Sequence, residues 1–83
     1  MLQQTIELIR LDNNTGEEKV FLRRVVREHI TLDALKKRAN RLGLKYDVKM
    51  VRVIYNNQVY HRLVFQENGV SALGECWHKE KRE

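Results

Sequence analysis

Lys36, Lys37, Arg38 and Arg41 crowd one segment, LDALKKRANRLGLK, at residues 32–45. Lysine and arginine at this density have one general chemistry open to them, contact with phosphate or carboxylate oxygens. Arg23, Arg24, Lys49, Arg52 and Arg62 lie in segments that read as strands, with Tyr55 and Tyr60 interleaved. Rings beside arginines on a sheet are what base stacking combined with phosphate binding uses. These residues form the candidate nucleic-acid-binding set. The plainer reading of the helix is a solvated face whose long stems cover the core edge. For Phe21 and Phe65 the expectation is packing under the helix, whereas Tyr55 and Tyr60 flank a turn and suit either side.

Other chemistry finds little support. Cys76 and His78 are two apart and His29 and His61 are isolated, so the second half of a zinc site is missing. Cys76 beside Trp77 in an apolar segment reads as a packed thiol, with nothing to mark it as an activated nucleophile. There is no Gly-rich phosphate loop and no close pair of carboxylates. The expectation is a non-enzymatic domain with no catalytic residues, cofactor or metal. No RNP-type aromatic pattern, GXXG loop or zinc-finger spacing is present either, so no standard nucleic-acid module is indicated.

Charge sharpens the picture. The 83-residue chain has a net charge of +5, with 33% charged and 42% hydrophobic residues. Residues 1–18 carry a balance of −3, residues 19–62 one of +9 and residues 63–83 one of −1. Such concentration of one sign favours a polyanionic partner. No window approaches the roughly 18 apolar residues of a membrane span, so no membrane association is expected. The opening MLQQTIELIRLD has neither a cationic start nor an apolar h-region, so no secretory signal is expected. One cysteine cannot form an internal disulfide, which points to a reducing compartment, by default the cytoplasm.

These residues need elements to position them. Residues 5–11 alternate as a strand, with Ile6 and Leu8 on one face and Ile9 and Leu11 on the other. Asp12 to Gly16 supply turn formers. Residues 19–26 form a second strand, with Val20, Leu22, Arg24 and Val26 on one face and Phe21, Arg23 and Val25 on the other. Thr31 is a natural N-cap, and Asp33 suits the first turn of the helix that follows. Leu32, Leu35, Ala39 and Leu42 share one stripe, Gly43 stands where a left-handed C′ residue belongs, and Leu44 can fold back on the last turn. Two runs of β-branched and aromatic residues, roughly 48–55 and 58–65, flank Asn56-Asn57 as a hairpin. In the segment 70–78, Val70, Leu73 and Trp77 are helix-spaced but Gly74 interrupts, and a short strand through Glu75 to His78 is the other reading. Residues 79–83 read as a frayed tail.

The order strand, strand, helix, strand, strand predicts one α+β domain over residues 1–83. Its antiparallel sheet has about four strands, with the helix on one face and the other face left to solvent or a partner. That order is similar to several groups of small DNA-binding and antitoxin-like domains, some of which dimerise through exchanged hairpins. The likeness is of element order alone, and the proline-containing turn those domains have before the helix has no counterpart here. The expected function is a small basic nucleic-acid-binding or regulatory domain that contacts phosphates of DNA or RNA through its helix and sheet. The alternative is a protein–protein interaction module, an inhibitor or adaptor such as mobile elements carry. It would meet an acidic protein surface or pair through a sheet edge, and a homodimer is compatible with either.

Overall fold

Antiparallel pairing with alternating apolar residues builds the sheet. In a computed structural model, which describes residues 3–12, 14–67, 70–72 and 77–80, β1 (Gln4–Leu11) pairs with β2 (Glu18–Val26). The helix α1 (Leu32–Tyr46) follows. Strands β3 (Met50–Tyr55) and β4 (Gln58–Leu63) form the second hairpin. A short hairpin, β5 (Phe65–Glu67) with β6 (Val70–Ala72), stands as a separate two-stranded sheet. The last strand, β7 (His78–Lys79), joins β4 and gives the main sheet the order β2-β1-β3-β4-β7. The expected α+β architecture is therefore present, with a fifth strand: Lys79, placed in the frayed tail from the sequence, pairs with Tyr60. The expectations for Cys76 and for the packing of Phe65 lie outside the described residues and side chains.

Each turn has a local cause. The Asp12 carboxylate accepts from the backbone N–H of Asn14 and Thr15, and Gly16 takes a φ of 71°. Asn56 and Asn57 both take positive φ, 49° and 64°, as a type I′ hairpin turn requires, and Tyr55 faces Gln58 across it. Gln4 of β1 holds that turn from outside, accepting from the Asn56 backbone N–H at 3.1 Å.

The helix starts as expected, with the Thr31 hydroxyl accepting from the Ala34 N–H at 3.2 Å. It ends later than expected. Gly43 lies inside the helix, and Asp47 takes the left-handed position with a φ of 54°. The Asp47 N–H donates to the Leu44 carbonyl and the Val48 N–H to the Gly43 carbonyl, the bond pair of a Schellman motif. Its hydrophobic residue is the buried Val48, while Leu44 stays exposed. Tyr46 extends the apolar stripe one more turn and packs on the core, which favours continuation past Gly43. The glycine serves packing: a Cβ there would stand 2.9 Å from Val51 Cγ2. Backbone and sheet approach closely because no side chain separates them.

Ile6, Leu8, Val26, Leu35, Ala39, Val48, Val51, Val53 and Val64 form the core between helix and sheet. The helix lies over β3 and β1, toward the centre of the sheet. The edge strand β2 is therefore left beside the helix rather than beneath it. A bulge between Leu8 and Ile9 shifts the β2 register: Leu8 faces Leu22 while Ile9 faces Val20, so Phe21 is the extra residue. This overturns the expected strict alternation of β2. Leu22, Arg24 and Val26 share the helix side, whereas Val20 passes to the far side with Ile9.

Candidate nucleic-acid interface

Register and helix phase sort the expected residues into three separate places. On the sheet face away from the helix, Arg23, Glu7, Arg52 and His61 stand in one cross-strand row. The Glu7 carboxylate lies 3.8 Å from Arg23 and 3.5 Å from Arg52, and Arg52 also reaches Glu18 at 3.3 Å. Arg52 Nε donates to His61 Nε2 at 3.1 Å. Glu7 is only 8% exposed, and Thr5, Ile9 and Val59 of the same face are buried as well. The centre of the far face is therefore closed, while Val20, Val25 and Leu63 toward its edges remain exposed. Its two arginines are engaged with carboxylates, which removes much of their attraction for an external anion.

The second place is the flank of the helix toward β4 and β7. Helical steps of 100° bring Lys36 and Asn40 to this side, where with Asp33, Trp77 and the outward-facing Lys37 they line a cavity of about 260 Å³. Lys36 Nζ is 5.0 Å from the centre of the Tyr60 ring and 5.7 Å from that of Trp77. The Tyr60 hydroxyl donates to Gln58 at 2.9 Å. Arg62 belongs to the core edge: it is 1% exposed, with its guanidinium 5.8 Å from the Trp77 ring. A phosphate could reach it only if the domain opened, so Arg62 leaves the candidate set. Tyr55 and Tyr60 both pack against the core from the helix side, so neither is a free stacking platform. Lys49, expected within a strand, is exposed in the connection just before β3.

The third place is a groove between α1 and β2. Arg38, Arg41 and Lys45 follow one another up this flank of the helix, at spacings of three and four. Arg24 faces them from β2, and Arg27 continues from the strand end. With Ile6, Val25, Val26, Glu28 and Leu42 they line a groove of about 470 Å³. The floor is apolar and the rim is basic. Glu28 is the one acid of the lining among the described residues, 3.8 Å from Arg38, and both of these side chains are well exposed. Among the described residues, Arg24, Arg27, Arg41 and Lys45 have no carboxylate within ion-pair distance. Five cations thus converge against one weakly held anion.

The expected set contains Arg24, Arg38 and Arg41 of this group but neither Arg27 nor Lys45. Lys45 could have been found from its helical spacing to Arg38 and Arg41. Arg27 carries no such signal, because only the tertiary fold turns the end of β2 toward the helix. Among the described residues, no helix is long and apolar enough to cross a membrane. No family model, curated protein or solved structure matches the chain.

Proposed function

We propose that this is a non-enzymatic nucleic-acid-binding domain that contacts phosphates through the groove between α1 and β2. One observation carries the reading: Arg24, Arg27, Arg38, Arg41 and Lys45 line a single groove that, among the described residues, holds only one carboxylate. Placing like charges together costs stability through mutual repulsion, and a polyanion in the groove offsets it. A flexible guanidinium or ammonium on each wall also suits an extended anion better than a small one. The competing reading, a partner strand added to the β2 edge, is less well supported. That edge carries a bulge along with Lys19, Arg23 and Arg24, features that discourage edge-to-edge pairing.

The test is the salt dependence of binding. Each phosphate contact lowers log affinity per log salt by about 0.9 on duplex DNA and about 0.7 on single strands. Replacing Arg38, Arg41 and Lys45 together by glutamine keeps helix propensity nearly constant. It should flatten the slope by roughly 2–3. Lys36→Gln, on the other flank, should leave the slope unchanged. Equal losses from both variants would show that bulk charge rather than the groove governs binding. Failure to bind duplex DNA, single-stranded DNA or RNA at low salt would replace the proposal with an acidic protein partner.

A further inference from the structure

Resting on that reading, we infer that the nucleic acid is single-stranded and that one of its bases stacks at Phe21, at the α1 C-terminal end of the groove. The bulge is the first observation. Phe21 has no partner residue on β1, because Leu8 faces Leu22 and Ile9 faces Val20. Bulges on edge strands re-aim side chains, and this one points a phenylalanine toward the last turn of the helix. The Phe21 ring meets the Tyr46 ring edge-on, with centres 5.7 Å apart, yet remains 42% exposed. It is therefore an aromatic surface presented beside the core rather than part of it.

Cations frame this pair on both sides. Arg10 holds its guanidinium 3.9 Å from the centre of the Phe21 ring, and Lys45 Nζ lies 5.6 Å from that of Tyr46. Lys45 also lines the basic groove, so the groove runs into the aromatic pair through a shared residue. Phosphate-binding cations leading to a half-exposed ring are the parts that single-strand recognition combines. A guanidinium lying on a ring is itself a surface on which a base can stack. A duplex keeps its base faces inside its own stack and has nothing to offer such a platform. The remaining described rings do not compete for this role, since Tyr55, Tyr60 and Trp77 pack against the core elsewhere.

The experiment compares three labelled ligands by fluorescence anisotropy at low salt: a short oligothymidine, an abasic strand with the same number of phosphates, and a duplex of that length. The thymidine strand should bind about 5- to 150-fold more tightly than the abasic strand, the range for one base–aromatic stack. Phe21→Ala should abolish that gap and Phe21→Trp should preserve it. Binding of the abasic strand reports that each variant is folded, and the wild-type comparison decides alone if Phe21→Ala is not. Equal affinity for thymidine and abasic strands, or a gap that survives Phe21→Ala, overturns the stacking inference while the phosphate groove stands. Stronger binding of the duplex than of the thymidine strand also overturns it. Absence of binding to all three ligands and to single-stranded RNA ends both proposals.

Discussion

Replacing Gly43 by alanine should destabilise the protein, although alanine is the better helix former. In an exposed helix interior this change stabilises by about 0.8–1 kcal/mol. Here the new methyl would stand 2.9 Å from Val51 Cγ2, with Val48 Cγ2 and Val64 Cγ2 at 3.8 Å. Val51 is fully buried on a strand paired on both sides, so neither it nor the helix can yield freely. Inserting a methyl group into a packed core costs about 1–3 kcal/mol. The overpacking outweighs the propensity gain, leaving a net loss of up to about 2 kcal/mol. For a domain of this size each kcal/mol lowers Tm by about 4–8 °C. Removing the obstacle should reverse the sign. In a Val51→Ala background the same Gly43→Ala change should stabilise by about 1 kcal/mol, giving a coupling energy of roughly 1–3 kcal/mol. Urea unfolding with a constant m-value measures both arms of the cycle. Stabilisation of the otherwise unaltered protein by Gly43→Ala would refute the close approach of helix and β3. The position of the groove beside β2 would then need revision too, because it depends on where the helix is seated.

Leu35→Ala should cost about 2–5 kcal/mol, since Leu35 is fully buried in the contact between helix and sheet. A change below about half a kcal/mol in the urea midpoint would contradict that burial. Asn57→Gly should be neutral or stabilise by up to about 1 kcal/mol, because Asn57 sits at a φ of 64° that glycine adopts without strain. Cross-strand NOEs between β3 and β4 should persist in that variant, and their loss would count against the type I′ turn.

Features decided within a few residues were legible in the sequence. The Thr31 cap, the Leu35 and Ala39 stripe and the Asn56-Asn57 turn each depend on bonds or spacings local to the chain. The end of the helix was not legible in the same way. Gly43 matches the residue type of a terminator, but Asp47 closes the helix, because Val48 is buried and Val51 needs the space at Gly43. The hydrophobic alternation of β2 was likewise interrupted by a bulge that pairing with β1 reveals and composition does not.

The charge of the middle segment is a property of the sequence, but its availability is a property of the fold. Two registers, β1 with β2 and β1 with β3, bring Glu7 from the acidic N-terminal segment between Arg23 and Arg52. Period-two alternation puts Arg62 on the helix side, and the packing of helix and Trp77 then buries it. Helical phase puts Lys36 on the flank opposite Arg38 and Lys45, with Lys37 and Arg41 one turn apart on the outward face between them. Which flank meets Arg24 and Arg27 is set by where the helix rests on the sheet. Electrostatic interaction falls with distance through space, not along the chain, so only the tertiary structure could decide which cations act together.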